Sequence, residues 1–296
     1  MSDIKVSVCV VTYNHQKYIA QCLQSLVEQK TDFLFEVIVN DDCSTDNTRN
    51  IVDHFAEKYP GLIVKNYQEK NVGSFKNAIS GYSLARGDYI CHVDGDDYAL
   101  PGKLQAQSLC LDSNNECVIV WSRSKVLDSE NNIIMDDLLG GVNLHKLKLT
   151  RGDLILFGSI ACHSSKMFRK RTLENFRHPG EPLLDFFMDV MQIGSGYGII
   201  LSGFYTVYRA NVGITSRSQI TNNIFLSNLE CISVLYPEFR SQVSAQFFKI
   251  FLINAKKFKL NLRVFKLFVK NFKFTTPAMF YKSLRYIYIF RSPVKR

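Results

Sequence analysis

Nowhere does this sequence hold the ~18 uninterrupted apolar residues of a membrane-crossing helix, so no transmembrane span is expected. Met1 to Lys5 leads at once into a strand-like run, without the charged region, apolar segment and cleavage site that make up a secretory signal. The eight cysteines, at Cys9, Cys22, Cys43, Cys91, Cys110, Cys117, Cys162 and Cys231, lack the close paired spacing of a zinc site, and several fall inside apolar runs. Reduced, mostly buried thiols in a reducing compartment are the consequence. Acidic residues vanish from the end of the chain: residues 241–296 contain 13 Lys and Arg and no Asp or Glu. That leaves 23 basic against 27 acidic residues in 1–240, a net of −4, although the whole chain carries +9. The basicity belongs to the tail, so the globular part has no electrostatic need of a nucleic-acid partner.

What is present is an alternation of strand and helix signals. With 296 residues, 46% of them hydrophobic, the chain suits one large domain or a domain with an appendage. Lys5–Val11 reads as a buried strand, and from Gln16 to Gln29 the residues Ile19, Cys22, Leu23, Leu26 and Val27 recur with the spacing of a helix packed on one face. Phe33–Val39, Leu62–Asn66, Asp88–Val93 and Cys117–Ser122 read as further strands. Helices are expected over Asn47–Tyr59, over Ser74–Ala85 and after Pro101, which suits a first helical turn. Such alternation implies right-handed crossovers, a mostly parallel Rossmann-like α/β sheet, and ligands at the carboxyl ends of its strands. Beyond residue 125 the pattern loosens: a hairpin joins Lys125–Leu127 to Ile133–Met135, Lys166–Arg169 looks strand-like, Leu183–Met191 helical, and Gly198–Leu201 and Tyr205–Tyr208 like late strands. The charge shift and a renewed helical period put a boundary near 220 between this α/β region and a basic helical remainder, 221–296.

The strongest chemical signal is Asp94-Gly95-Asp96-Asp97 at the end of an apolar strand. Three carboxylates in four residues repel one another unless a cation joins them, and oxygen-rich sites suit Mg2+ or Mn2+. A solvated acidic turn ahead of the next helix is the plain alternative. A second pair, Asp41 and Asp42, leaves another strand, followed by Ser44 and Asp46 as candidate helix caps. Both pairs, with Thr12-Tyr13-Asn14, should meet at one edge of the sheet, where a nucleotide could lie across them.

The ordered segments V-S-V-C-V-V-T-Y-N, E-V-I-V-N-D-D-C-S-T-D-N-T, N-V-G-S-F-K-N-A and A-R-G-D-Y-I-C-H-V-D-G-D-D resemble the family 2 glycosyltransferases of the GT-A fold, closely over about 4–125 and more weakly to about 217. The resemblance implies a bacterial surface-glycan enzyme with a catalytic domain over 1–220, in which 1–125 binds the nucleotide sugar and 126–220 faces the acceptor. It implies that Thr12 and Asp41 or Asp42 contact the base, that Asp94 reaches the ribose, that Asp96 binds the metal bridging the diphosphate, and that Tyr13, Asn14 and Gly95 belong to the donor site. Asn71, Gly73, Lys76 and Asn77 match the segment that lines the donor pocket. Asp97 is either a helper of the metal through water or a helix N-terminal charge. The catalytic base in similar transferases opens a helix before a G-x-i strand and a Tyr-Arg pair, which singles out Asp185 ahead of Gly196-Tyr197-Gly198-Ile199 and Tyr208-Arg209, with Asp189 and Glu181 as rivals. His163 reads as a structural histidine beside the acceptor site. Cys43 stands where the family often has Gly, so an altered turn is expected there, because Cys enters φ > 0 less cheaply.

These pieces suggest a single displacement with inversion: a general base takes the acceptor proton while the metal offsets charge on the leaving diphosphate. The Gln-x-x-Arg-Trp motif of processive synthases is missing, since Trp121 is the lone tryptophan, so one sugar per encounter is expected. The competing readings are a catalytically inactive binding protein on the same fold, and a sugar nucleotidyltransferase, whose Gly-rich phosphate loop Thr12-Tyr13-Asn14-His15 does not supply. No G-x-G-x-x-G follows the first strand, which excludes a dinucleotide oxidoreductase.

In the tail, Phe248, Phe251, Ala255, Phe258, Leu262, Phe265, Val269 and Phe272 form a helical stripe bordered by Lys249, Lys256, Lys259, Arg263, Lys266, Lys270 and Lys273. Such a helix can lie in an anionic headgroup layer, giving a peripheral protein at the inner face of the cytoplasmic membrane. Docking on the catalytic domain and an oligomer contact are the alternatives.

Overall fold

The computed structural model describes residues 4–128, 132–135, 147–176, 182–210, 218–256 and 261–287. Nine strands form one sheet: β1 (Val6–Thr12), β2 (Phe35–Asp41), β3 (Ile63–Tyr67), β4 (Tyr89–Asp94), β5 (Tyr98–Ala99), β6 (Cys117–Leu127), β7 (Ile133–Met135), β8 (Lys166–Arg169) and β9 (Tyr197–Arg209). The helices are α1 (Ile19–Val27), α2 (Thr48–Lys58), α3 (Ser74–Leu84), α4 (Lys103–Asp112), α5 (Arg151–Phe157), α6 (Asp185–Gln192), α7 (Ser218–Leu235), α8 (Arg240–Lys256), α9 (Leu262–Asn271) and α10 (Thr276–Ile287).

The strand order is β3-β2-β1-β4-β8-β6-β9-β5, with β7 paired to β6. Strands β3, β2, β1 and β4 run parallel, as do β6 and β9, while β8 is antiparallel to both β4 and β6 and is wedged between them. The mostly parallel α/β sheet expected from the alternation is therefore present, and the β6–β7 hairpin forms as expected. Pro101 sits in the turn ahead of α4, whose cap is the left-handed Gly102, rather than inside its first turn.

Both faces of the sheet are covered, which explains why β1 is apolar at nearly every position instead of alternating. Val6, Val8 and Val10 pack with Ile19, Leu23 and Leu26 of α1, Val52 and Phe55 of α2, and Leu104 and Leu111 of α4. Cys9 and Val11 point into the other core, shared with Tyr82 of α3, Ile155 of α5, Phe186 and Phe187 of α6 and Leu229 of α7. Each fully buried Leu, Ile or Phe contributes about 1.5–3 kcal/mol by leaving water.

That second core continues into Val243 and Phe247 of α8 and Val264 of α9. Gln246 donates to the carbonyls of Ile155 and Leu156, and Lys282 pairs with Asp153 at 2.8 Å. The aromatic stripe is therefore not one long helix. It is divided between α8 and α9, which pack together: Phe248 stacks on Phe268 at 4.8 Å, and Phe251 meets Phe265 at 5.2 Å. A three-to-four spacing serves one long helix and two packed helices equally well, so the pattern alone could not separate them. Phe258 and Lys259 lie outside the described residues. No helix among the described residues is long and apolar enough to cross a membrane.

Candidate active site

Three loops meet at the carboxyl edge of β1, β2 and β4. The Asp42 N–H donates to the Thr12 carbonyl at 3.0 Å and the Gly95 N–H to that of Val11 at 2.8 Å, which ties the three strand exits together. Asn14, in the left-handed region at φ 56°, donates its N–H to Ser44 Oγ and accepts the Thr45 N–H at Oδ1. Cys43 adopts φ 63°, so the turn keeps the left-handed conformation despite the side chain. Asp46 accepts the Thr48 N–H at 2.9 Å from one residue ahead of the cap position of α2, which is Asn47, so neither Ser44 nor Asp46 is the N-cap that the sequence suggested.

Asp42 holds the third loop: its two carboxylate oxygens accept the N–H groups of Val72 at 2.7 Å and Gly73 at 2.9 Å, and Asn71 donates to its carbonyl. Gly73, at φ 86°, starts α3. Asp41 is wholly buried, with Oδ1 accepting from Arg49 Nε at 2.5 Å and from the Ser44 N–H at 2.9 Å. Its Oδ2 is buried with no partner among the described residues. Lys76 is exposed in the first turn of α3, whereas Asn77 is fully buried and donates to the Asn40 carbonyl. Tyr13 is exposed and Thr12 is buried, its Oγ1 3.2 Å from His15 Nδ1. A side chain at Gly95 would collide with Thr12 and His15, which explains the glycine between two aspartates.

The acidic turn is held by side chains that come from far along the chain. Asp97 is buried, with Oδ2 accepting from Ser164 Oγ at 2.5 Å and Oδ1 from the Arg209 N–H at 2.8 Å. Both oxygens are engaged by protein, and α4 starts six residues later, so Asp97 is neither an open ligand nor a first-turn helix charge. Asp94 accepts from His92 Nε2 at 3.1 Å, and its own N–H donates at 2.9 Å to Ser164 Oγ, whose single proton goes to Asp97. Arg209 also donates to the Asp96 carbonyl and to Gln21, with its guanidinium over Tyr18 and Tyr98. Asp96 differs from its neighbours: among the described residues the nearest basic side-chain nitrogen to its carboxylate is His15 Nε2, 3.9 Å away.

Electrostatics distinguish the three acids. Burial pushes the Asp96 carboxyl up, and the neighbouring Asp94 charge adds to it. Asp97 is raised well above the usual range, by burial and then by Asp96 and Asp94. Asp94 moves the other way: burial would raise it, but the His92 imidazole, by charge and hydrogen bond, holds it well below the usual range. An under-partnered carboxylate crowded by two others is a site that a hard divalent cation would relieve, so Asp96 fits an Mg2+ or Mn2+ ligand. A different trio, His92, Asp94 and His163, also brings ligand atoms within 4.8 Å of one another. It fits an ion poorly. The two imidazoles are stacked 3.8 Å apart at 22°, so their in-plane lone pairs do not converge, and both nitrogens of His92 are already hydrogen-bonded.

On the other side of that stack stands Asp185, the first residue of α6, its side chain 59% exposed and its Oδ1 3.1 Å from His163 Nδ1. Its rival Asp189 is buried and paired with Lys166 Nζ at 2.7 Å. Glu181 lies outside the described residues. Crowding by surrounding groups would raise the Asp185 carboxyl, but the imidazole of His163 brings it below its ordinary value.

No role was legible in the sequence for His92, Ser164 or Gln21, and His15 and Arg209 stood out only as parts of the Thr12-Tyr13-Asn14-His15 strand exit and the Tyr208-Arg209 pair. One of them left a signal: His92 and Asp94 are two apart on a strand and so share a face. Ser164 and Gln21 come from other elements, and no local pattern marks them.

The family model described as glycosyl transferase family 2 matches residues 7–177. An uncharacterized protein of Mycobacterium tuberculosis is 35% identical over 123 residues, 41% of this chain and 36% of that protein. The poly(ribitol-phosphate) β-N-acetylglucosaminyltransferase TarS of Staphylococcus aureus is 37% identical over 120 residues, 40% of this chain and 20% of TarS. The chain thus spans between about a fifth and about a third of the length of these relatives. The crystal structure of S. aureus TarS 1-349 in complex with UDP-GlcNAc superposes with a TM-score of 0.67 at 20% identity, covering 96% of this chain and 90% of that one.

Proposed function

The chain belongs to glycosyl transferase family 2 and has the fold of its GT-A members, and on that premise we propose that it moves a sugar from a nucleotide diphosphate sugar to an acceptor hydroxyl. The observation that carries this reading is the meeting, at one sheet edge, of the 12–14, 41–42 and 71–73 loops with an acidic turn in which, among the described residues, only the Asp96 carboxylate lacks a close side-chain partner. The donor is a UDP-sugar of the hexosyl or N-acetylhexosaminyl class. Its base lies against Thr12 and Asp41 or Asp42, and the buried, unpartnered Oδ2 of Asp41 offers an acceptor for a base N–H. Asp94, fixed by His92 and Ser164, takes the ribose side, with Asn71, Gly73 and Lys76 along the donor.

Asp96 would hold Mn2+ or Mg2+, which when bound offsets negative charge on the leaving diphosphate. Asp185 takes the proton from the acceptor hydroxyl as that oxygen attacks the anomeric carbon, and the bond to the diphosphate breaks in the same step, with inversion. His163 keeps the carboxylate from solvent on one side. The transfer is non-processive, one sugar per encounter, to a glycan or lipid-linked glycan.

The catalytic domain is 1–220, with donor binding in 1–125 and the acceptor side in 126–220, and 221–296 is the helical region. Leu262, Phe265 and Val269 of α9, with Phe272 at its C-cap, are exposed at one helical spacing, beside exposed Lys266 and Lys270 and, past the cap, Lys273. This face suits an anionic headgroup layer and would hold the enzyme at the cytoplasmic side of the membrane.

Titration calorimetry with UDP and Mn2+ tests the donor site: binding that disappears in Asp96→Ala supports it, and equal affinity in excess chelator sinks it. An inactive binding protein would bind UDP and yet release none from UDP-GlcNAc on prolonged incubation.

A further inference from the structure

Asp185 sits at the exposed start of a helix, where a carboxylate would ordinarily sample several rotamers. Here one oxygen is met from inside the protein. His163 opens the 3-10 turn His163–Ser165 that leads into β8, and its side chain is only 6% exposed. Its Nδ1 lies 3.1 Å from Asp185 Oδ1, and its Nε2 is buried with no partner among the described residues. Those two nitrogens fix the tautomer of a neutral ring. A proton on Nε2 would be a buried donor without an acceptor among the described residues and would leave the Nδ1 lone pair facing a carboxylate. A proton on Nδ1 puts a donor instead of a lone pair against that carboxylate, so Nδ1–H donates to Oδ1.

The ring itself cannot swing. His92 stacks on it with centroids 3.8 Å apart, and His92 is held at Nδ1 by the Tyr82 hydroxyl at 2.6 Å and at Nε2 by Asp94 at 3.1 Å. Burial, then the nearby His163, lowers His92 to about 4, so it is a neutral plate at physiological pH. Tyr82 is fully buried against Phe168 of β8.

We propose that His163 is a positioning residue for the base: it tethers Oδ1 of Asp185 and leaves Oδ2 turned to the acceptor hydroxyl. The proposal rests on the reading of Asp185 as the base. A base held within hydrogen-bond reach in one rotamer is an oriented one, and a misplacement of about 1 Å costs on the order of 10²-fold in rate. Because the tether runs through Asp185, its loss should appear in kcat and leave nucleotide affinity alone.

The test measures UDP release from UDP-GlcNAc with Mn2+ in parallel with UDP affinity by calorimetry, on the full chain. His163→Leu should lower kcat by ~10- to 100-fold with UDP affinity within about twofold of wild type. His163→Asn, whose amide N–H stands where Nδ1–H does, should recover much of the loss, and His163→Gln, whose amide stands at Nε2, should not. In an Asp185→Asn background His163→Leu should cost less than about twofold more, since a residue acting through another adds nothing once that one is gone. Equal activity in the Asn and Gln variants would overturn the proposal, and that contrast stands even if His163→Leu fails to fold. An inactive Asp185→Asn beside an unimpaired His163→Leu would overturn the positioning role alone. Wild-type turnover in Asp185→Asn would overturn the base assignment and the positioning role with it.

Discussion

Lys166 and Asp189 form a buried ion pair, and breaking it should destabilise the protein without touching the chemistry. Lys166 Nζ is fully buried, 2.7 Å from Asp189 Oδ1 and 3.2 Å from Gln192 Oε1. Lys166→Met removes one charge and strands the other at a site 7% exposed, which costs about 3–5 kcal/mol. Unfolding entropy is about 2.1 cal/mol/K per residue, so a chain of 296 residues has about 0.6 kcal/mol/K in all. The expected drop in Tm is therefore about 5–8 °C by calorimetry. Replacing both partners, Lys166→Met with Asp189→Leu, should recover most of that drop, because a packed apolar pair of similar volume is often as stable as a buried ion pair. UDP-GlcNAc turnover per folded molecule should survive in the double variant. A single variant within 1 °C of wild type, or a double variant as unstable as the single, would refute the reasoning about the pair. A folded double variant without turnover would return Asp189 to the candidates for base.

Asp185→Asn should lower kcat by ~10²-fold or more with UDP affinity kept, the usual contribution of a general base; full activity would remove it from that role. Asp96→Ala should abolish Mn2+-dependent UDP binding while circular dichroism remains native, and retained metal-dependent affinity would exclude Asp96 as the ligand. Leu262→Ser with Val269→Ser should release the protein from anionic vesicles, whereas Lys266→Glu and Lys270→Glu should each weaken binding by at least about fivefold and reduce its salt dependence. Absence of any preference for anionic over neutral vesicles in the wild type would end the membrane reading. His92, lowered from 6.5 to about 4, is neutral in both folded and unfolded chains above 6.5. As pH falls from 6.5 towards 4 the unfolded chain takes up the proton first, so stability should fall by roughly 3 kcal/mol and level off below that window. His92→Gln should flatten that slope in urea titrations, and an unchanged slope would contradict the cause.

The sequence by itself determined the parts of this protein that depend on neighbours within a few residues. Strand and helix periods, the turns at strand exits, and the arrival of Thr12, Asp42 and Asp94 at one sheet edge all follow from local spacing plus the rule that parallel strands share an exit side. Only the tertiary structure decided which charged groups are committed to each other. Asp185 and Asp189 stand one turn apart on one helix and look interchangeable in sequence, yet one is open beside His163 and the other is buried on Lys166. That choice depends on β8 being inserted antiparallel between β4 and β6, and strand order leaves no trace in periodicity. Likewise Asn77 is turned inward to Asn40, and the tail folds back so that Phe248 meets Phe268. A hydrophobic period states that a face will be buried. What buries it, and which polar groups must then be paired inside, is settled by packing between segments far apart along the chain.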